Sequence, residues 1–352
     1  MRETQGNIME KTYPAIEKKI IDFSAFLARI KAESETYDQK MMKDDEAIAI
    51  IKKLERKYFP EIDSYFERLW DKIVEVAPDE RKEIQALFNK HLLAYFHSTP
   101  LNQRIIDKPL GYDGDYLTMG YYYRNGYEGN TVFDKLIHRY TLHIPVAQSV
   151  IFRFGYFYKL INNTYSENIK DRKVKITSLG SGPAIEILNV LNDHISPTVF
   201  EFCCVDSDPN AIEQVKSNVS ELSKKRNIPI NFAFLNMNVL KFIKFSKRND
   251  ILQGQHLIYA GGLFDYLNAK TATALINASF DLLAERGKLV ITNFRKNIPS
   301  RAYLENIGGW FLLLRDEKDM LDLCKDIADK AEISVDVDRE TETNLYLTIQ
   351  KK

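Results

Sequence analysis

Hydrophobic residues recur at helical spacing through the first hundred residues of the chain. The apolar positions of the first predicted helix, mostly three or four residues apart, are Ile16, Ile20, Phe23, Phe26, Leu27 and Ile30. Similar amphipathic segments follow, and Pro60, Pro78 and Pro100 are predicted to divide them into separate helices. Because apolar positions at this period form one face of a helix, the pattern predicts an N-terminal all-α helical bundle over residues 1–108.

The pattern then changes to short apolar runs that alternate with amphipathic segments. The predicted strands are "KVKITSLG", "TVFEFCCVD", "INFAFLN", "HLIYAG", "GKLVITNF", "AEISVDVD" and "NLYLTIQ". Strands that alternate with helices form βαβ units and a mainly parallel sheet, whereas the last two strands predict an antiparallel ending. We therefore expect an α/β, Rossmann-like domain over residues 169–352, in the methyltransferase variant of the doubly wound fold rather than the dehydrogenase variant.

The segment between these two regions combines tyrosine with glycine. "GYDGDYLTMGYYYRNGYEG", residues 111–129, holds six tyrosines, five glycines and three acidic residues. Glycine at this density disfavours one plain helix, and so many rings disfavour a disordered linker. We expect residues 109–168 to form a connector whose rings line an active site, with the helical bundle as a lid over the sheet.

Charge and composition exclude several classes of function. The 49 basic and 49 acidic residues balance, whereas a nucleic-acid-binding protein usually shows a basic excess. No apolar run approaches the ~20 residues of a membrane span, and the N-terminus lacks the apolar core of a signal peptide. The three cysteines form no disulfide framework and the six histidines show no strong metal-ligand spacing. These features predict a reduced, cytoplasmic protein without a metal, a nucleic-acid partner or a membrane span.

The stretch "ITSLGSGPAIEIL" carries the strongest chemical signal. A predicted strand ends at Leu179, and the turn that follows it is formed by Gly180, Ser181 and Gly182. Glycines at this place let the backbone approach a ligand at the carboxyl end of a strand, where doubly wound sheets bind. We expect Pro183 in the first turn of the next helix. The third glycine of a dinucleotide fingerprint is missing, which argues against a nicotinamide dehydrogenase.

The next strand ends in a carboxylate that suits a nucleoside. In "FEFCCVDSDPNAI" the strand ends at Asp206, and Ser207 follows it. A carboxylate at this position accepts hydrogen bonds from the two vicinal hydroxyls of a ribose. Asp208 is expected to cap the helix that begins at the following proline.

Two later strand ends complete the pattern. After the third strand, Asn238 and Val239 suit adenine. The Asn side chain would accept a hydrogen bond from the exocyclic amine, and the backbone N–H of the apolar residue after it would donate to a ring nitrogen. Asn236 is the second choice for the Asn. At the end of the fourth strand, "IYAGGLFDYL" places the backbone of Ala260 and Gly261 next to the reacting end of the ligand.

In this order, the four motifs resemble those of the class I S-adenosylmethionine (SAM) methyltransferases. The resemblance covers roughly residues 170–352 and implies SAM as the cofactor. The strings "GYDGDYLTM", "SLGSGPAIE", "VDSDP", "YAGGLFDYL" and "ITNF" are further similar to a bacterial subgroup. Many members of that subgroup are named after an enzyme of hydroxy-fatty-acid (3-hydroxypalmitic acid) methyl ester biosynthesis. In one departure from the family, Thr177 and Ser178 stand where many members carry an acidic residue that holds the methionine amine.

The chemistry of SAM suggests roles for the connector. SAM is a sulfonium, and aromatic faces attract cations. The residues expected near the reacting carbon are Tyr112, Asp115, Tyr116 and Tyr123. Arg153 is the candidate clamp for a carboxylate. A carboxylate acceptor needs no general base, whereas an amine or phenol acceptor would need one, for which Asp115, His138 and His143 are the candidates.

The favoured hypothesis is O-methylation of a carboxylate on a small molecule. A second hypothesis is other alkyl chemistry of SAM: aminocarboxypropyl transfer, since "GSGP" is similar to nicotianamine synthase, or cyclisation to azetidine-2-carboxylate with release of methylthioadenosine. The missing acidic residue before Gly180 points weakly to the cyclisation, because the attacking amine must be neutral and free. A third hypothesis is a non-catalytic SAM-binding module.

Overall fold

The chain divides into two compact units. The computed structural model describes residues 2–38, 44–168, 170, 173–193 and 197–352. The first unit, here the helical unit, comprises Met1–Gln148 and Pro299–Phe311. The second, here the sheet unit, comprises Ser149–Ile298 and Leu312–Lys352. The short segment Pro299–Phe311 thus belongs with the N-terminal helices, although it follows the first five strands of the sheet in sequence.

Helices provide the regular structure of the helical unit. They are α1 (Arg2–Asp38), α2 (Asp44–Ile73), α3 (Arg81–His91), α4 (Leu93–Phe96), α5 (Pro100–Asp107), α6 (Tyr116–Arg124) and α7 (Val132–His143), with a later helix at Arg301–Asn306. All six apolar residues predicted for the first helix are buried in α1. The helical prediction for the N-terminal region is therefore confirmed.

Proline acts differently at the three predicted helix boundaries. Pro78 lies between α2 and α3, and Pro100 is the first residue of α5. Pro60 lies inside α2, so the predicted break at that position is wrong. The helix continues because Phe59 and Ile62 keep its apolar face buried, which offsets the ~3 kcal/mol that proline costs inside a helix.

The sheet unit is built on seven strands. They are β1 (Val174–Leu179), β2 (Phe200–Asp206), β3 (Asn231–Asn236), β4 (Gln255–Ala260), β5 (Leu283–Phe294), β6 (Ala331–Val337) and β7 (Asn344–Lys351). Their order across the sheet is β3-β2-β1-β4-β5-β7-β6. Neighbours among β1 to β5 pair in parallel, and β7 pairs antiparallel with both β5 and β6. The predicted strands and their antiparallel ending are confirmed.

Helices cover both faces of this sheet. They are α8 (Pro145–Glu167), α9 (Ile185–Asp193), α10 (Pro209–Arg226), α11 (Val239–Phe245), α12 (Ala269–Phe280) and α14 (Glu317–Asp322). The label α13 is given to the helix Arg301–Asn306, which belongs to the helical unit. Adjacent residues of one strand enter different hydrophobic clusters: Cys203 packs with Phe242 of α11, and Cys204 with Ile187 of α9. Parallel strands that are buried on both faces explain the nearly continuous apolar runs in the sequence.

The strand order determines where a ligand site belongs. β1 lies between β2 and β4, so β2 and β3 follow on one side of it and β4 and β5 on the other. The strand order therefore reverses between β1 and β4. Ligands of doubly wound sheets bind outside the carboxyl ends of the strands at such a switch point. The predicted fold, a Rossmann-like methyltransferase sheet with an N-terminal helical region, is confirmed. Among the helices of the described residues, none is long and apolar enough to cross a membrane.

Candidate functional site

The turn after β1 is bonded directly to the end of β2. Gly180 and Gly182 have φ values of 62° and 51°, in the left-handed region that favours glycine. The N–H groups of Gly180 and Ser181 donate to the Val205 carbonyl at 2.8 and 3.2 Å. The Gly182 N–H donates to Asp206 Oδ2 at 2.8 Å. The structure therefore brings together Gly180, Ser181, Gly182 and Asp206, four residues that the sequence predicts to bind the cofactor.

The helix after this turn begins later than predicted. Pro183 precedes α9, which starts at Ile185, so the expected place of Pro183 in the first helical turn is wrong. Ala184 lies between them with a φ of 47°, and its N–H donates to the Ser181 carbonyl at 3.0 Å. This extra turn delays the helix and extends the loop at the carboxyl end of β1.

The Asp206 carboxylate already accepts hydrogen bonds from backbone N–H groups. Besides the Gly182 N–H, it accepts the Asp208 N–H through Oδ1 at 2.9 Å. Burial raises the pKa of Asp206, and the backbone N–H groups of Asp208 and Gly182 oppose that rise. A carboxylate offers about four lone-pair sites, so acceptor capacity remains for the hydroxyls of a ribose.

The loops after β2 and β3 are held by short polar contacts. Asp208 accepts the Asn210 N–H at 2.8 Å and caps α10, which confirms its predicted role. Asn236 Nδ2 donates to the carbonyls of Asp206 and Ser207 at 3.1 and 3.0 Å. Asn238 caps α11 through the Lys241 N–H at 2.9 Å, and Val239 is the first residue of that helix. Recognition of adenine by Asn238 and Val239 stays a prediction.

Arg153 of α8 lies against the backbone at the carboxyl end of β4. Its side chain is buried, and Nη1 has no hydrogen-bond partner within the described residues. A Cβ atom at Gly262 would lie 3.1 Å from Nη2 of this guanidinium, and one at Gly261 would lie 2.8 Å from the Phe157 ring. Only glycine fits both positions without displacement, which explains the "GG" that follows Ala260.

A buried carboxylate approaches the same guanidinium from α9. Glu186, in the first turn of α9, accepts the Tyr259 hydroxyl through Oε1 at 2.6 Å. Burial raises the pKa of Glu186, while the Tyr259 hydrogen bond and the positive charge of Arg153 oppose the rise. Glu186 is therefore an acidic group on the amino end of α9, directly after the turn that lacks the family's usual acidic residue.

A second buried carboxylate lies after β4. Asp265 accepts the Phe294 N–H at 2.7 Å. Burial raises the pKa of Asp265 to about 6, against the opposing effects of that hydrogen bond and of the Arg153 and Arg315 charges. The positive charge of Arg153 thus lowers the pKa of two buried carboxylates, while its Nη1 has no hydrogen-bond partner among the described residues. Such a set can bind a zwitterion, the carboxylate on Arg153 and an ammonium on a carboxylate.

In the helical unit, Asp115 has a well-defined structural task. It caps α6 by accepting the N–H groups of Leu117 and Thr118 through Oδ1 at 3.0 and 2.8 Å. Arg104 donates through Nε to Oδ1 at 3.1 Å and through Nη2 to Oδ2 at 2.7 Å. These four bonds anchor the start of α6 and occupy both carboxylate oxygens. A catalytic role for Asp115 stays a prediction.

The predicted tyrosines lie on α6 or just before it. Tyr112 precedes the helix and is 40% exposed, Tyr116 is its first residue, and Tyr123 is half-buried near its end. The three consecutive rings differ in burial, because helical neighbours lie about 100° apart: Tyr122 is buried whereas Tyr121 and Tyr123 are half-buried. Placement of Tyr112, Tyr116 and Tyr123 at a reacting carbon stays a prediction.

The two candidate histidines have contrasting environments on α7. His143 is exposed, and its Nε2 lies 3.7 Å from Asp63 Oδ2. His138 is fully buried, and its ring meets the edge of Tyr121 at a centroid distance of 6.2 Å. Burial lowers the pKa of His138 to about 4, with the charges of Arg139 and Arg124 acting in the same direction. His138 is therefore uncharged at neutral pH and a weak base.

The sequence motifs contain Glu186 and Asp265 but assign no role to either residue. Both stand inside quoted motifs, "SLGSGPAIE" and "YAGGLFDYL". The available signal was the absence of an acidic residue before Gly180, because an ammonium site deprived of one carboxylate needs another nearby. Their burial beside Arg153 depends on long-range packing, which periodicity does not report.

Comparison with known proteins gives similarity of structure only. No protein-family model matches the chain, and no curated protein matches it. A possible exported protein from Bordetella parapertussis is 12% identical, with 73% of this chain and 94% of that chain covered and a TM-score of 0.53. Magnesium protoporphyrin IX methyltransferase from Synechocystis is 10% identical, with 59% and 87% covered and a TM-score of 0.43. The N-methyltransferase NodS from Bradyrhizobium japonicum is 13% identical, with 60% and 90% covered and a TM-score of 0.38.

At such low identity a structural similarity shows the fold alone. The match with a TM-score of 0.53 extends over most of both chains. The order of the seven strands, with β7 antiparallel between β5 and β6, is independent of any comparison. The chain therefore has the class I methyltransferase fold.

Proposed function

We propose that this protein is a SAM-dependent methyltransferase acting on a small molecule, with a carboxylate oxygen as the methyl acceptor. The observation that carries the proposal is the buried Arg153 guanidinium, whose Nη1 lacks a hydrogen-bond partner among the described residues. A buried charged group without its full set of hydrogen bonds is costly, so this nitrogen is suited to a bound anion. The carboxylate of the methionine part of SAM is that anion.

The remaining groups of SAM find complementary residues in the sheet unit. Glu186 suits the methionine ammonium, because its buried carboxylate is held in place by Tyr259. Asp206 suits the ribose hydroxyls, and Asn238 with Val239 suits adenine. The proposed binding residues also include Gly180, Ser181, Gly182, Pro183, Ser207, Ala260 and Gly261.

Two of the three candidate bases, Asp115 and His138, are poorly suited to remove a proton, which favours an acceptor that is already ionised. Bound SAM supplies an electrophilic methyl group attached to a sulfonium. Both oxygens of Asp115 are engaged by Arg104 and by the α6 cap, and the pKa of His138 is about 4. An amine or phenol acceptor would have to lose a proton, whereas a carboxylate needs no general base at neutral pH. The chain's task is then orientation and exclusion of water, to which Tyr112, Tyr116 and Tyr123 would contribute aromatic faces.

The motif resemblance supports a narrower assignment. The segment "GYDGDYLTM" and the string "YAGGLFDYL" are similar to the subgroup named after the hydroxy-fatty-acid methyl ester enzyme, which acts on a carboxylate. We include in the proposal a cytoplasmic location and a role in small-molecule biosynthesis.

Product analysis tests the proposal. Purified protein is incubated with SAM that carries a labelled methyl group, first alone and then with a panel of carboxylic acids and the matching primary alcohols. We expect S-adenosylhomocysteine and a labelled methyl ester, formed only when an acid is present. Methylthioadenosine released from SAM alone would contradict methyl transfer and indicate cyclisation. SAM binding without turnover across the panel would indicate a non-catalytic module.

A further inference from the structure

We infer that the sheet unit docks on anionic membrane surfaces through α11 and the two short helical turns that follow it, Ser246–Arg248 and Asp250–Leu252. Apolar side chains and cations are exposed together on this segment, and anionic lipid attracts that combination. We call it the α11 surface, and define it by six exposed residues: Leu240, Lys241, Lys244, Phe245, Arg248 and Ile251.

The apolar part of the α11 surface is fixed in its exposed position by the fold. Leu240 is 69% exposed, more than any other large apolar side chain among the described residues, and Phe245 and Ile251 are exposed as well. The helix cannot rotate to bury them, because Phe242 on its other side is buried in the hydrophobic core of the sheet unit. Exposed apolar groups of this kind mark sites of interaction with a partner or a membrane.

Helical spacing places the basic side chains beside the apolar ones. Leu240 and Lys244 are four positions apart on α11, and so are Lys241 and Phe245. Side chains at this spacing are neighbours on the surface of a helix. Lys244 Nζ also lies 5.2 Å from the centroid of the Phe245 ring. Arg248 follows Lys244 by four positions in the adjoining turn and is exposed too, so the cations continue beyond the end of α11.

Positive charge exceeds negative charge on the α11 surface. Lys241, Lys244 and Arg248 form no ion pair within the described ranges of the chain, whereas the neighbouring Lys247 is paired with Asp281 of α12 at 2.5 Å. Asp250 is the one acidic residue of the sequence between positions 239 and 252. The formal charge of the whole chain is zero, so this local excess is not a property of the composition. It complements an anionic partner.

The residue types favour a lipid surface over a protein or a nucleic acid. Lysine is depleted in protein–protein interfaces, whereas at a membrane it keeps its charge among the headgroups and its alkyl chain at the apolar boundary. Leu240 and Ile251 offer no aromatic face on which a base could stack. Because Phe242 holds α11 in the core, only the exposed side chains enter the headgroup region, and the binding is shallow, reversible and sensitive to salt.

Vesicle flotation tests the inference on the full chain, without SAM or a methyl acceptor. Vesicles of phosphatidylcholine alone are compared with vesicles of phosphatidylcholine and phosphatidylglycerol in equal parts. Each basic residue near an anionic surface strengthens binding about fivefold, so we expect partitioning to the anionic vesicles to be at least about tenfold stronger. Most of this difference should disappear in molar salt, which screens the attraction.

Two variants separate the apolar contribution from the electrostatic one. Leu240→Ser should lower partitioning to the anionic vesicles about tenfold, because a leucine side chain no longer leaves water on binding. Exchange of Lys241, Lys244 and Arg248 together for glutamine should lower it about a hundredfold. All four positions are exposed, so the thermal unfolding midpoint should stay unchanged.

Control variants carry the same exchanges away from the α11 surface. Leu321→Ser removes a leucine that is 47% exposed on the acidic helix α14, and Lys224→Gln removes an exposed lysine of α10. Each should change partitioning less than about twofold, the scale of a surface substitution without a specific role.

Four results would overturn the inference. They are no partitioning to the anionic vesicles, equal partitioning to both kinds of vesicle, an equal loss in Leu240→Ser and Leu321→Ser, and a dimer in sedimentation velocity that Leu240→Ser dissociates. The last result would assign the α11 surface to a second copy of the chain. Because no SAM is present, failure of methyl transfer would not affect these readouts.

Discussion

Replacement of Arg153 by methionine should weaken the binding of the amino-acid part of SAM but not of its adenosine part. Arg153→Met keeps the length of the side chain but removes the charge beside Gly261 and Gly262. If Nη1 binds the methionine carboxylate, the variant loses a charge-assisted hydrogen bond, worth about 1.5–3 kcal/mol. At 1.4 kcal/mol per factor of ten, the dissociation constants for SAM and S-adenosylhomocysteine should rise about 10- to 150-fold.

Methylthioadenosine provides the matched ligand. It contains the adenosine and the sulfur of SAM but no amino-acid carboxylate, so its affinity should change less than about twofold in Arg153→Met. Isothermal titration calorimetry measures all three ligands on the wild-type chain and the variant. Lys159→Met, at an exposed basic residue of the same helix α8, is the control that removes a positive charge without touching the buried cluster.

Two results would refute this assignment. Unchanged SAM affinity in Arg153→Met would show that the carboxylate binds elsewhere. An equal loss for methylthioadenosine would show that Arg153 supports the fold of the site rather than the carboxylate, since that ligand has nothing for the guanidinium to bind.

Four further variants test the ribose contact, the packing at Gly261, the burial of His138 and the role of Asp115. Asp206→Ala should weaken SAM and methylthioadenosine alike, by about 1–3 kcal/mol in calorimetry, because the ribose is common to both; unchanged affinity would disprove the ribose assignment. Gly261→Ala should lower the free energy of unfolding by about 1–3 kcal/mol in urea, since its methyl group would overlap a buried ring. His138 has a folded pKa of about 4 against an ordinary value of 6.5, so its neutral form stabilises the fold above pH 6.5. Up to about 3 kcal/mol of the free energy of unfolding is lost as the pH falls toward 4. His138→Phe should lack this part of the acid sensitivity, and an unaltered profile of stability against pH would contradict the burial of His138. Asp115→Asn should lower unfolding stability by about 1.5–3 kcal/mol through its paired arginine, whereas lost turnover at unchanged stability would favour the catalytic role.

The sheet was predictable from the sequence because its signals are local. Buried parallel strands such as Phe200–Asp206 are mostly apolar, and β1 to β4 are each followed within two residues by glycine or a capping residue. The role of Asp208 as a cap followed from the proline beside it. The same local logic failed at Pro60, because the tertiary burial of Phe59 and Ile62 outweighs the cost of proline.

The electrostatics of the site were less predictable. Arg153 was a candidate clamp, but nothing in the sequence places it against Gly262, 109 positions later. Glu186 and Asp265 were overlooked because a carboxylate in a helix or a turn is usually solvated, and only the structure shows their burial. Likewise, the Tyr-rich segment contains a regular helix, α6, because its glycines fall mainly before Tyr116 and after Arg124.

A crystal structure with S-adenosylhomocysteine bound would show directly where the cofactor binds. We expect the ligand at the carboxyl end of the sheet, with its amino-acid carboxylate about 2.7–2.9 Å from a guanidinium nitrogen of Arg153 and its ribose hydroxyls on Asp206. A ligand bound elsewhere, or a carboxylate that does not reach Arg153, would contradict this expectation.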